Sequence, residues 1–409
     1  MNAQDGYYFR SYQQDIAFEL SGGFEGQLWS RIILQACENM SIRNLTIAIA
    51  AVKRIAHTEP SRLDEIENHR RYAFQKYSQA LKSIQKQLSR EQENIRLALL
   101  AALLIFVFEA LLGHTRVAVK HVQSALGLIK HQLGRDPKNP DLVWTNVNLG
   151  ASPPASLAFV EDEVVKSFMR LERPGIRLLG TNKGAVSVQN QLFRSSILTD
   201  YEIPKIFSSL DEARHYFECI HFRAFREDNL EAKVEASTTI KDGNASPAML
   251  ITHLLSKVPQ TLAASLRKEV ARWHRAFAPL LHHSRTQKGA STFVPATTLS
   301  IQTAAIGVSS CSVSIASSDG PLVVEESLRA AQNILSDARA LVAHPKYAKS
   351  FVFDVGIMPS LWIIMVFCFD ISLRKEALAI LRSMQPRIEC VWDSKDLADK
   401  GEEILRMME

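Results

Sequence analysis

Residues 63–88 read LDEIENHRRYAFQKYSQALKSIQKQL, and their apolar side chains recur every three, four or seven positions. Those side chains are Leu63, Ile66, Ala73, Tyr77, Leu81, Ile84 and Leu88. The spacing places them on one face of an α-helix, with charged residues opposite. Ser61 is predicted as its N-cap, and Asp64 and Glu65 stand in the first turn, where acids complement the helix dipole.

Helical spacing continues on both sides of this stretch. The predicted helices span Phe24 to Asn39, Ile42 to His57, Gln92 to Leu112 and Arg116 to Leu133. Gly134 and Pro137 end the last of them. Helices joined by such short connections predict an antiparallel array.

One of these helices contains an uninterrupted apolar run, LALLAALLIFVF, from Leu97 to Phe108. A membrane span needs about 20 apolar residues, so this shorter run predicts a helix buried in the core.

The pattern lapses from Asp136 to Ser156, which predicts a loop, and again from Gly180 to Tyr201. A short helix, Val160 to Leu171, lies between them. We therefore expect an all-α fold of two packed helical halves in an irregular array. The predicted parts are residues 1–135 (N-terminal half), 136–200 (loop, short helix and linker) and 201–409 (C-terminal half).

The C-terminal half opens on Ser209 and Glu212, which have the spacing of a capping box. Its clearest apolar stripe is Leu262, Leu266, Val270, Trp273, Phe277 and Leu281. Thr292 to Ser318 is rich in Ser, Thr, Val and Ile; we predict helix there, with strand as the alternative. Pro321 opens a helix to about Ala343, and three shorter helices follow, near 359–370, 373–384 and 394–408.

Composition narrows the classes of function. The net charge of +5 is spread along the chain, which argues only weakly for nucleic-acid binding. The five cysteines are far apart and form no C-x-x-C pair, which predicts reduced thiols and no zinc site. The N-terminus has no apolar stretch of the signal-peptide type, so we expect a protein of the cytosol or nucleus.

Motifs for nucleotide, zinc-protease or serine-hydrolase chemistry are missing from the sequence. His114 with His121, and His282 with His283, lack a Cys, Asp or Glu at ligand spacing, so we interpret them as surface or helix-end residues. Cys311 and Cys368 lie in apolar surroundings, where a thiol stays protonated. The sequence therefore predicts no catalytic, cofactor-binding or metal-binding residue.

Three segments near the C-terminus occur in an ordered series. They are residues 353–362 (FDVGIMPSLW), 373–383 (LRKEALAILRS) and 386–393 (PRIECVWD). The series resembles the end of the regulatory region of fungal zinc-cluster transcription factors. Physically these are fold signatures: Gly356 and Pro359 shape a turn, while Arg387, Glu389, Trp392 and Asp393 could clip the last helix to the body.

Further segments are similar to earlier parts of that regulatory region. They are residues 8–10, 20–22, 29–31 and 33–35, then Ala73, Tyr77, Leu81, Leu100, Phe106, Glu109 and Gly113, then FSSLDEAR at 207–214. The family also carries a six-cysteine cluster that binds two zinc ions and contacts DNA. We expect this chain to lack that module.

The resemblance implies a nuclear, alternatively cytoplasmic, regulator of transcription that is not an enzyme. It would act through protein partners, either of the transcription machinery or a DNA-binding partner. It would make no sequence-specific contact with DNA and none with a membrane, and a small-molecule effector is left open. The alternatives are an enzyme or ligand-binding protein of fungal secondary metabolism on the same scaffold, and a purely structural scaffold.

Overall fold

A computed structural model describes residues 2–22, 24, 27–90, 94–134, 160–171, 202–224, 259–312, 320–347, 353 and 355–408. The chain divides into two units. Unit 1 comprises Met1–Arg194 and Ser350–Asp354, and unit 2 comprises Ser195–Lys349 and Val355–Glu409. The boundaries at 135 and 200 stay a prediction, because between them only residues 160–171 are described.

Unit 1 is helical in its described residues. They are α1 (Ala3–Ser11), α2 (Ala17–Leu20), α3 (Ile33–Ala36), α4 (Met40–His57), α5 (Leu63–Arg90), α6 (Ile95–Leu111), α7 (Thr115–Gly134) and α8 (Asp162–Leu171). Two π-helical turns, Tyr12–Ile16 and Leu28–Ile32, lead directly into α2 and α3.

Two predicted helix ends in unit 1 were wrong. The helix expected to reach Asn39 ends at Ala36, because the Asn39 side chain instead accepts a hydrogen bond from the Ser41 N–H (2.8 Å) and caps α4. Ser61 is not the cap of α5. The Arg62 N–H donates to the Glu59 carbonyl (2.9 Å) and closes a turn before the helix. The Arg62 carbonyl then accepts the first hydrogen bond of the helix, from the Ile66 N–H.

The core of unit 1 forms around α6, which packs against α4, α5 and α7. Nearly every side chain from Leu97 to Phe108 is buried, so the prediction of a core helix is confirmed. Phe353 joins this core, where its ring meets Trp29 (4.7 Å between centroids) and Phe106 (5.7 Å) edge-on. In the described residues, no helix is long and apolar enough to span a bilayer.

Unit 2 is also helical. Its helices are α9 (Leu210–Ala224), α10 (Gln260–Ser284), α11 (Phe293–Ser312), α12 (Gly320–Val342), α13 (Met358–Phe367), α14 (Ile371–Ser383) and α15 (Ser394–Met408). The start of α9 differs in detail from a capping box. The Ser209 hydroxyl accepts from the Glu212 N–H as expected, but the Glu212 carboxylate takes the Ser208 N–H (2.6 Å) rather than that of Ser209.

At the centre of unit 2 lies α11, which packs against α9, α10, α12 and α13. Several of its buried hydroxyl groups donate to carbonyls of the preceding turn, as Thr303 does to Leu299 (2.9 Å), whereas the Thr297 hydroxyl is buried with no hydrogen-bond partner among the described residues. Helix, rather than strand, is therefore confirmed over Phe293–Ser312. Residues 313–318 of the predicted segment lie outside the described part.

Strands are limited, in the described ranges, to the two-residue pair β1 (Ile388–Glu389) and β2 (Trp392–Asp393). The pair is antiparallel, with Glu389 opposite Trp392. Its two-residue loop starts at Cys390, whose φ of 57° suits a tight hairpin turn. The all-α fold class is confirmed, while the sequence analysis had no signal for this hairpin.

Candidate functional site

The C-terminal motif residues of unit 2 converge on one buried carboxylate. Glu389, on β1, has no exposed surface, and three donors surround it. Its Oε1 accepts from the Tyr347 hydroxyl (2.9 Å) and the Arg387 Nε (2.7 Å), and its Oε2 accepts from the Met358 N–H (2.9 Å). The hairpin is therefore bonded to the first residue of α13 and to the segment that follows α12.

Arg387 is buried with its partner, and its guanidinium lies 3.9 Å from the centre of the Tyr347 ring. Burial works against the charged guanidinium, but Glu389 and Tyr347 outweigh it, so the pKa of Arg387 is raised. Burial, and then Glu389, raise the pKa of Tyr347 well above its ordinary value. The Arg387 backbone exchanges hydrogen bonds with Ser394, the first residue of α15.

Gly356 is required by this cluster. A Cβ atom on Gly356 would lie 2.3 Å from the carboxylate of Glu389, far inside contact distance. The Gly356 carbonyl accepts from the Gln302 side chain (2.9 Å), which ties the glycine to α11. The glycine in the G-I-x-P segment and the glutamate in the P-R-x-E segment thus depend on each other.

We expect Gly356→Ala to lower the free energy of unfolding by about 1–3 kcal/mol, because the carboxylate cannot move away without losing its donors. Gly127→Ala is the matched control. A Cβ there meets nothing within 4 Å, so an alanine in the interior of α7 should instead stabilise by about 0.5–1 kcal/mol. Urea unfolding of both variants tests the pair. Equal effects of the two substitutions would contradict the predicted clash.

The C-terminal cluster is buried. Both oxygens of the Glu389 carboxylate accept hydrogen bonds, whereas Arg387 Nη1 is buried with no hydrogen-bond partner among the described residues. Trp392 is buried and Asp393 is exposed, and Asp393 caps α15 by accepting from the N–H groups of Lys395 (2.7 Å) and Asp396 (3.2 Å). These residues act as the predicted clip.

In unit 1 a second buried carboxylate, Glu109, accepts from the Tyr77 hydroxyl (2.6 Å) and contacts His114 Nδ1 (2.8 Å). The sequence analysis found no acid beside His114, and this was wrong. Gly113 has a φ of 78°, and the His114 N–H bonds back to the Glu109 carbonyl (2.9 Å), which is the Schellman ending of a helix. That reversal turns His114 over the last turn of α6. His121 lies nearby, and burial lowers its pKa.

A third polar cluster joins α1 to α5 and was missed, because its members are about 60 or 70 residues apart. The Tyr8 hydroxyl lies 2.6 Å from His69 Nδ1, and Asp5 accepts from Tyr72 (2.5 Å) and Lys76 (2.6 Å). Burial opposes the charged carboxylate of Asp5, but the hydrogen bonds from Lys76 and Tyr72 hold its pKa below the ordinary value.

A pH dependence follows from Asp5. Because its pKa is lower in the folded state, its contribution to stability is present above the unfolded pKa, near 4, and is lost as the pH falls through the folded value. We expect Asp5→Asn to reduce the loss of stability on acidification, and Tyr72→Phe to reduce it partly. Urea unfolding from about pH 6 to about pH 3 measures this. An unchanged slope in Asp5→Asn would contradict it.

The thiols are shielded from solvent in this fold. All five cysteines are buried, and burial raises the pKa of Cys37 and Cys311 to about 11 and of Cys219 to about 12. In the part of the chain that the structure covers, no three His, Cys, Asp or Glu residues are grouped to hold a metal. His282 and His283 are exposed at the end of α10. That the chain has no catalytic, cofactor or metal residue stays a prediction.

Residues 7–153 match the family model described as "Fungal specific transcription factor domain". That region is therefore similar to the fungal specific transcription factor domain. The resemblance predicted from the sequence motifs is confirmed over these residues. Of the residues that carried it, Tyr77 and Glu109 are hydrogen-bonded to each other in the core of unit 1, and Gly113 ends α6. Comparison with curated proteins and with solved structures gives no match. The C-terminal motifs lie beyond the matched residues.

Proposed function

We propose that this chain is a regulatory or effector domain of transcription that acts by binding other proteins in the nucleus. The observation that carries the proposal is the fungal specific transcription factor domain at residues 7–153. A domain of this family supports a role in regulating transcription. The partner, the nuclear location and a small-molecule effector are the finer parts of the proposal.

The chemistry of the described clusters supports a binding role over an enzymatic one. Glu389 and Glu109 each accept hydrogen bonds from donors of their own unit, and burial raises the pKa of the Cys37, Cys219 and Cys311 thiols. Catalytic acids, bases and nucleophiles must instead reach a substrate. Both carboxylates therefore fit a role in holding helices in place, which leaves the exposed helix surfaces for recognition.

The experiment is to fuse the full chain to a bacterial repressor's DNA-binding domain and measure a reporter gene in a fungal host. A transcription-regulatory domain should raise or lower reporter expression relative to the DNA-binding domain alone. A fluorescent fusion without the repressor tests whether the chain enters the nucleus. The unfused chain should bind duplex DNA only weakly and without sequence preference, with strong dependence on salt.

Two controls make the reporter result specific. Glu389→Ala, which we expect to destabilise unit 2, should lose the effect, while Gly127→Ala should keep it at equal protein levels. An unaltered reporter despite a soluble nuclear fusion would contradict the proposal. Tight sequence-selective DNA binding at physiological salt by the unfused chain would contradict its action through partners.

A further inference from the structure

The solvent-facing side of α10 carries only basic and neutral residues. Its exposed charged or titratable side chains are Lys268, Arg272, Arg275, His282 and His283. The one acid of the helix, Glu269, points the other way. It is buried and bonded to Arg223 and to Ser265 (3.0 Å), so it does not neutralise this side.

The positive charges on this face are not compensated locally. Within the described ranges, neither Lys268 nor Arg272 forms an ion pair, and the Arg275 Nε contacts only the Ala271 carbonyl of its own helix (3.4 Å). Exposed cations that a fold does not use cost little to maintain and create a positive potential that attracts an acidic partner.

The face has a seven-residue repeat. Lys268, Arg275 and His282 form one row, and Ala264, Ala271 and Ala278 form a parallel row four positions earlier in each repeat. Residues seven apart drift by only about 20° around a regular helix, so each row stays on one line up to Pro279, the proline inside α10. The row from Lys268 to His282 extends over about 21 Å of helix.

This pattern matches one side of a helix pair. In paired helices, residues at seven-residue spacing form the contact, and charged residues beside it form ion pairs with the partner. Alanines in the contact let two backbones approach closely. Phosphate binding does not need such a line of alanines, and membrane insertion needs large apolar side chains, which this face lacks.

We propose that the exposed face of α10 docks an acidic helix of a partner protein, with Glu or Asp side chains repeating every seven residues opposite Lys268, Arg275 and His282. This inference rests on the proposed function, because it specifies the chemistry of the partner. Arg272 lies beside the row and adds to its charge.

The probe is a synthetic helical peptide of about three heptads, with Ala in the contact row and Glu in the flanking row. Its matched control has Gln in place of every Glu. Fluorescence anisotropy with the full chain should show that the Glu peptide binds roughly tenfold more tightly than the Gln peptide, and that the preference falls as salt rises. A version with Lys for Glu should not bind.

The double variant Lys268→Glu/Arg275→Glu reverses the charge of the row and changes no core side chain. This double variant should no longer bind the Glu peptide and should bind the Lys peptide instead. The control, Lys346→Glu/Lys395→Glu, makes the same change of net charge at exposed sites elsewhere in unit 2 and should keep the wild-type preference. Circular dichroism melts of both double variants should match the wild type.

Equal binding of the Glu and Gln peptides would overturn the inference, as would equal losses in the two double variants. Tighter binding of duplex DNA than of the Glu peptide, abolished by Lys268→Glu/Arg275→Glu, would make the face a nucleic-acid surface and overturn it too. If the chain still changes reporter expression but does not prefer the Glu peptide over the Gln peptide, only this inference is wrong. If the chain prefers the Glu peptide but does not change reporter expression, only the proposed function is wrong.

Discussion

Trp392→Ala is expected to lower the free energy of unfolding by about 3–5 kcal/mol, the range for emptying a large aromatic site in a core. Trp392 is 4% exposed and stands on β2, immediately before α15 begins at Ser394. The cavity would lie where the hairpin joins the last helix, so α15 should fray and proteolysis near it should become faster. Trp392→Phe should be milder, because most of the buried volume remains.

Variants of Asp393 serve as the control, because this residue lies beside Trp392 but is exposed. Its carboxylate oxygen caps α15, and an asparagine offers the same acceptor, so Asp393→Asn should cost about 1 kcal/mol or less. Thermal melts rank the three variants. If Trp392→Ala left the melting temperature unchanged but abolished a ligand-binding or catalytic signal, the residue would belong to a site and the proposed function would be wrong.

The helices were predictable where one face is apolar and the other is charged. In α10, Leu266, Trp273 and Phe277 are buried as expected. In α5, Ala73 and Tyr77 are buried, but Leu63 at the start of the predicted stripe is 71% exposed. The many Ser, Thr, Val and Ile residues of α11 lower its helix propensity, yet the segment is a largely buried helix. The hydroxyl groups of Thr303 and Ser310 can be buried in this helix because they donate to backbone carbonyls of the preceding turn.

For the C-terminal cluster, the sequence predicted some of the residues that act together but not the partners that they contact. The sequence suggested that Arg387, Glu389 and Trp392 act together, but the partners Tyr347 and Met358 are 42 and 31 residues from Glu389 along the chain. No spacing rule connects such positions, because packing of α11, α12 and α13 brings them together. By contrast, the contact of His114 with Glu109 had a local signal in Gly113, since a glycine after a helix favours the left-handed reversal.

Glu389→Gln tests whether the C-terminal cluster is held by charge. The substitution keeps the side chain's size and an acceptor oxygen, but it leaves Arg387, whose side chain is only 3% exposed, without its counter-charge. Removal of one partner of a buried ion pair costs about 3–5 kcal/mol, because the remaining charge stays desolvated and uncompensated. Urea unfolding should report a loss in this range.

The second half of the experiment removes the other charge. Arg387→Met alone should also be costly, since it leaves the Glu389 carboxylate buried with only the Tyr347 and Met358 donors. The double variant Arg387→Met/Glu389→Gln contains neither charge, so it should be clearly more stable than the sum of the single losses predicts. A double-mutant cycle measures the coupling directly. Additive losses would mean that the two side chains stabilise the fold independently, through packing and hydrogen bonds to the backbone, and that their pairing contributes nothing.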